Sequence, residues 1–180
     1  MSGEAGNTTH DWSAAVDHEH LSQVRIDPER YAPGGVVHLL LEVIAYADDE
    51  AEALGCQGTC RITLHGDGSV SVADDGRGTE TRVDEDGVPT RKPVIATKVV
   101  AALSDWLVHT NRRRHGAWTQ RYENGIPATD LVAVEGDGTT GTTVHFMPGR
   151  PERVTPAQIH RVAAGFPHVR VLIPQKTYRQ

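Results

Sequence analysis

The strongest constraint in this chain is one long run of helical periodicity bounded by glycines. After Pro33-Gly34-Gly35, apolar residues recur at Val36, Leu40, Ile44, Ala47, Ala51 and Leu54, and Gly55 follows as a C-terminal stop. A stripe of this kind must be covered by other chain, so the run predicts a core helix rather than a surface one. A second row on the same helix carries His38, Glu42, Tyr46 and Asp49, at steps of four, four and three, so these groups lie along one line beside the apolar face.

What covers the helix is read from the alternating segments that follow. Arg61–His65 and Ser69–Ala73 alternate around Gly66-Asp67-Gly68, which predicts a β-hairpin, and its second arm runs into Asp74-Asp75-Gly76-Arg77-Gly78. Residues 79 to 92 are polar and turn-rich. Val94, Ile95, Val99, Leu103 and Trp106 then predict a second helix through about Leu107. Strands are expected at about 108–113, 117–123, 130–135, 142–146 and 169–173, with a helix from Thr155-Pro156 to about Ala164, where Thr caps and Pro takes the first helical position. Helices interleaved with hairpins point to an α+β sandwich, with helices on one face of a mainly antiparallel sheet.

The 180 residues, 38% of them hydrophobic, suit one domain with a real core and make two a squeeze. Residues 1 to about 25 lack periodicity and are expected to form a flexible N-terminal arm, leaving 26–180 as the domain. Within the arm, Asp17-His18-Glu19-His20 reads as a solvated charge run rather than a metal site, because nothing nearby completes a ligand set. Cys56 and Cys60 have no second pair and read as free thiols; no metal is expected.

Charge and hydropathy remove further classes. Lys plus Arg number 18 against 24 Asp plus Glu, a formal charge of -6, which disfavours nucleic acid as a partner for this chain alone. The basic run Arg112-Arg113-Arg114-His115 sits at a hairpin turn and reads as a solvated loop. No apolar run reaches the roughly 20 residues that span a bilayer, and the polar N-terminus is unlike a secretory signal, so no membrane and a cytoplasmic location are expected.

Several strings, in order and at consistent spacing, resemble the ATPase domain of the DNA gyrase B subunit. They are Gly35-Val-Val-His38-Leu-Leu-Leu-Glu42-Val-Ile, Asp48-Asp49-Glu50-Ala51, Asp67 through Gly78, Tyr122-Glu123-Asn124-Gly125-Ile126-Pro127, and Gly141-Thr142-Thr143-Val144-His145-Phe146-Met147-Pro148. That resemblance covers about residues 30 to 175. It implies the GHKL (Bergerat-type) fold, a two-layer sandwich of helices over a mixed, mainly antiparallel sheet with ATP bound between the layers.

By position the resemblance implies that Asp74 takes the place of the carboxylate that accepts from the adenine amino group. Gly78, with Gly76 in the same turn, lies under the base, and Thr142 assists through water. Glu42 matches the general base and His38 its support; Asp49 joins the ligand-facing set. The residues themselves agree, since a carboxylate at a strand end followed by two glycines lets a flat ring approach the backbone.

The sequence also departs from that family. The magnesium-holding asparagine is Tyr46 here and the adjacent aspartate is Ala45, and a phenol is a poor ligand for a hard cation. No glycine occurs between Gly87 and Gly116, so the glycine-rich lid that wraps the phosphates is read as deleted, leaving Lys92 and Lys98 as point charges. Gln120 or Thr119 replaces an expected arginine, and the chain stops at Gln180, ahead of the family's second domain with its phosphate-contacting lysine. No cofactor is expected, ATP and magnesium binding should be weak or absent, and ATPase and topoisomerase activity are not expected.

Three functions fit this pattern. One is a small-molecule binding protein that keeps the heterocycle corner of an ATP pocket. Another is a repurposed enzyme using Glu42, His38 and Tyr46 for acid–base chemistry on a small molecule, and the third is a partner or modulator of gyrase. Whether the chain is an enzyme, and its oligomeric state, are left open by the sequence.

Overall fold

The computed structural model describes residues 17–79, 81–83, 89–91 and 97–174. Its centre is α3 (Val36–Leu54), 19 residues ending at Gly55, whose φ of 63° and ψ of 32° form a left-handed cap. The expected stripe is buried from Val36 to Ala51, while Leu54 is 40% exposed and falls outside the core.

That layer is an eight-stranded sheet with the order β10-β1-β2-β9-β5-β6-β7, with β8 pairing on β6. The strands are β1 (Gly58–Leu64), β2 (Val70–Asp74), β5 (Ser104–Arg113), β6 (Gly116–Glu123), β7 (Ile126–Pro127), β8 (Val132–Val134), β9 (Gly141–Pro148) and β10 (Val169–Leu172). Only the β1–β10 pair in this sheet is parallel, so the sheet is mixed and mainly antiparallel, the α+β arrangement expected from the sequence. Cys60, Ile62, Val72, Leu107, Val144 and Phe146, all 2% exposed or less, form the sheet face that meets α3.

Two shorter helices complete the helical layer. α5 (Pro156–Ala163) begins at the expected Thr155, in a full capping box: the Thr155 hydroxyl accepts from Gln158 N–H while the Gln158 side chain accepts from Thr155 N–H. α4 (Thr97–Ala102) is shorter than expected. Residues 104–107, assigned by periodicity to this helix, open β5 instead. The helical spacing Val99, Leu103, Trp106 overlaps the alternating set Leu107, His109, Asn111, and pairing with both β6 and β9 decides in favour of the strand. Ser104 marks the change, its hydroxyl donating to Val100 C=O at 2.6 Å.

The N-terminal segment also differs from expectation. Residues 18–25, read as flexible arm, lie in α1 (His18–Ile26), followed by α2 (Pro28–Tyr31). Asp17 caps α1 by accepting from His20 N–H at 2.9 Å, and Val24, 1% exposed, anchors it. The charge run is therefore a capped first turn. The rest of the expected arm, 1–16, lies outside the described residues, as do 84–88 and 92–96, where the lid deletion and Lys92 fall. Within the turn-rich stretch, β3 (Thr81–Val83) and β4 (Pro89–Arg91) pair as a separate two-stranded sheet. Among the described residues no helix is long and apolar enough to cross a membrane.

Candidate functional site

Asp74 stands at the end of β2, where the antiparallel partner β9 begins at Gly141-Thr142. Its carboxylate is held from three directions. Oδ1 accepts from Gly76 N–H at 2.9 Å and from Thr142 N–H at 3.3 Å, and Oδ2 accepts the Thr142 hydroxyl in a short hydrogen bond. Because the single hydroxyl proton of Thr142 goes to Asp74, the Thr142 oxygen keeps its lone pairs for an incoming donor. The corner thus holds two adjacent acceptors, one on the half-buried Asp74 and one on the buried Thr142. Burial pushes the Asp74 carboxyl above its ordinary range, against the hydrogen bonds from Thr142 and Gly76 that favour its charged form.

Glycine is required around this carboxylate. Gly78 has φ 79°, and a Cβ there would lie 2.5 Å from Arg112 C=O and 2.6 Å from Asn111 Oδ1. A Cβ on Gly76 would come within 2.8 Å of Glu50 Cγ, and one on Gly141 would run into the Asp74 carbonyl. Beside Asp74 a crevice of about 20 Å³ is lined in part by Ala47, Ala51, Thr59 and Gly76, space of the order of a single water.

The loop that carries Gly78 is clasped from β5. Asn111, fully buried, accepts from Thr79 N–H at 2.8 Å and donates to Thr79 C=O at 2.7 Å, so one carboxamide mimics a strand partner. From α3, Glu50 takes the Arg77 guanidinium in a two-pronged pair of 2.7 and 3.1 Å and also accepts from Arg77 N–H. The Arg77 hydrogen bond is the main reason the Glu50 carboxyl sits below its ordinary value. Arg113, from the basic tip, reaches Gly78 C=O at 3.4 Å, while Arg112 binds the Thr139 and Thr143 hydroxyls; the tip is thus partly folded onto the loop rather than wholly solvated.

The row on α3 divides in two. His38 Nε2 and Glu42 Oε1 meet at 3.1 Å, both partly buried. The Tyr46 hydroxyl instead bonds the Thr79 hydroxyl at 3.3 Å, directing the phenol toward the clasped loop. Asp49 is exposed, and it is Glu50, the next residue, that continues the four-residue step from 38, 42 and 46 to the loop. That step was available in the sequence and identifies Glu50 where Asp49 was chosen. Asn111 carried no such signal, since a polar residue at alternating spacing reads as facing solvent. Gln120, noted where an arginine was expected, is a structural group: it accepts from the Tyr122 hydroxyl at 2.9 Å and donates to Thr129 C=O.

Nearby thiols are separated by burial. Cys56 is exposed; Cys60, paired across the strands with Asp74, is fully buried, and that burial together with Asp74 and Asp75 pushes its thiol up to about 12.

No family model matches the chain. It is similar to the DNA topoisomerase 4 B subunit of Staphylococcus epidermidis, 32% identical over 158 positions covering 72% of this chain and 24% of that protein. It is also similar to the DNA gyrase B subunit of Thermotoga maritima, 33% identical over 71% of this chain and 24% of that one. The mitochondrial DNA gyrase B subunit of Arabidopsis thaliana is 30% identical over 183 positions, 78% of this chain and 24% of the relative. The chain therefore spans 24% of the length of these curated relatives. The Arabidopsis alignment is longer than the whole 180-residue chain yet uses 78% of it, so the matched region holds residues in the relative that this chain lacks.

Proposed function

Starting from the premise that this chain is a homologue of the ATPase domain of the DNA gyrase B subunit, in the GHKL superfamily, we propose that it is a small-molecule binding protein that recognises an adenine-like heterocycle and no longer grips a triphosphate. The observation that carries this reading is the Asp74–Thr142 acceptor pair, held over Gly76, Gly78 and Gly141 and braced by Glu50–Arg77 and the Asn111 clasp. An amino group on a flat ring satisfies both acceptors, and a half-buried, raised carboxyl gains from a donor that compensates its desolvation.

The loss of phosphate handling is supported by three features. Tyr46 occupies the position of the family's metal-holding asparagine and its hydroxyl is committed to Thr79. The segment ahead of α4 has no glycine with which to build an amide cradle, and α4 is six residues long. The alignment positions that this chain leaves empty agree with a deleted lid. Phosphoryl transfer is almost entirely positioning and charge stabilisation, so their loss removes ATP hydrolysis.

The test is thermal unfolding with adenosine for the wild type and Asp74→Asn. Asn presents an N–H toward the ligand's amino group in place of an acceptor. At 100 times the dissociation constant, adenosine should stabilise the wild type by about 2.7 kcal/mol and leave the variant unchanged. No stabilisation of the wild type by adenosine, or equal stabilisation of both proteins, overturns the reading.

The His38–Glu42 contact supports a second reading, in which this pair performs proton transfer on the bound molecule. In that reading Tyr46 stands one turn further along the same row, its hydroxyl bonded to Thr79.

A further inference from the structure

A second cavity, of about 210 Å³, lies at the opposite end of the helical layer from Asp74 and shares no residue with that corner. α3 contributes Val36 and Leu39 to it, from a different row than His38 and Glu42, and with Ala32 and Ala102 they make an apolar floor, each 3% exposed or less. Around that floor stand five charged side chains from distant parts of the chain: Arg25 ending α1, Glu29 on α2, Asp105 opening β5, and Arg150 and Glu152 after β9.

All five are exposed to solvent, on the rim of the cavity, and they are not spent on one another. None of the ion pairs among the described residues joins any two of these five. Among the described residues, Glu152 alone of the five side chains has a hydrogen-bond partner, accepting from Val36 N–H at 3.4 Å, with its carboxylate filling the space that a Cβ on Gly35 would need. Two guanidinium groups and three carboxylates bordering an apolar floor without cancelling one another match a ligand with both charges on an apolar body. The volume is below the roughly 300 Å³ at which drug-sized pockets begin, so the ligand is small.

We propose that this cavity binds a free apolar α-amino acid, its carboxylate taken by Arg25 and Arg150, its ammonium by Asp105, and its side chain by Val36 and Leu39. The site is separate from the heterocycle corner, and its occupant carries no aromatic amine requirement.

The experiment is titration calorimetry on the full chain with L-leucine, and with isocaproate and leucine methyl ester, which lack the ammonium and the carboxylate respectively. L-leucine should bind, each analogue should bind at least tenfold more weakly, and saturating adenosine should leave the leucine affinity unchanged. Arg150→Ala and Asp105→Asn, both at exposed positions, should each weaken leucine by at least tenfold while keeping the wild-type unfolding midpoint. Absence of L-leucine binding, equal binding of an analogue, insensitivity to either substitution, or competition by adenosine would each overturn the proposal.

Discussion

Asn111 offers the most informative single perturbation of the fold around the corner, because it is fully buried and exchanges two hydrogen bonds with one residue on the loop. Asn111→Ala deletes those two hydrogen bonds and leaves Thr79, 8% exposed, with an N–H and a C=O short of these partners. At about 1 kcal/mol net per bond plus part of the 1–3 kcal/mol cost of a buried unsatisfied group, the loss should be about 2 to 4 kcal/mol. Urea unfolding measures it as a lower midpoint at unchanged slope. Asn111→Asp sharpens the test. A protonated Asp can still donate to Thr79 C=O, whereas the carboxylate faces that oxygen. Its folded pKa is therefore raised, and the variant should approach the wild type below the ordinary carboxylate range and lose stability as pH rises through the raised value. If Asn111→Ala costs less than about 1 kcal/mol, or Asn111→Asp shows no added pH dependence, the clasp does not hold the loop and the reasoning fails.

Other consequences follow from the same geometry. Gly78→Ala places a methyl at φ 79° against Arg112 C=O and Asn111, and should destabilise by at least about 1 kcal/mol and abolish adenosine binding by calorimetry. His145 on β9 is held below its ordinary 6.5 by burial and by His65, 4.7 Å away ring to ring, with Asp67 opposing. A depressed histidine binds fewer protons folded than unfolded, so wild-type stability in urea should fall as pH drops from about 6.5 toward the lowered value, and His145→Gln should remove that component. Glu42→Gln should leave adenosine affinity within about twofold, since Glu42 lies with His38 and not with Asp74; if the second reading holds, the same change stops product formation in extracts supplied with the natural substrate.

Much of this arrangement was legible in the sequence where one pattern ran without a competitor. α3 has strong periodicity between glycines, the 61–74 hairpin alternates cleanly, and Thr155-Pro156 announces α5. Legibility failed where two patterns overlap. Leu103 to Leu107 satisfy both helical and strand spacing, and only β6 and β9, remote in sequence, settle the choice. It failed again where the signal is weak: α1 has one fully buried residue, Val24, among polar neighbours.

Asp74, the glycines and Thr142 were singled out by the resemblance to gyrase B, because an acidic turn after a strand is by itself common; the fold brings these residues together at the β2–β9 end. The supports of this corner were harder to see. Asn111 acts across 32 residues, and Glu50 differs from Asp49 only by a rotation around the helix, which burial against the loop decides. The five charges around the second cavity come from segments as far apart as Arg25 and Glu152, so only the closed fold brings them together.

Calorimetric comparison of adenosine with ATP in the presence of magnesium, on the wild-type chain, goes to the centre of the account. The prediction is measurable affinity for adenosine and an ATP affinity within a fewfold of it, since phosphates and metal find no grip. Binding of magnesium ATP a hundredfold or more tighter than adenosine, a gain of about 2.7 kcal/mol carried by the phosphates alone, would contradict it.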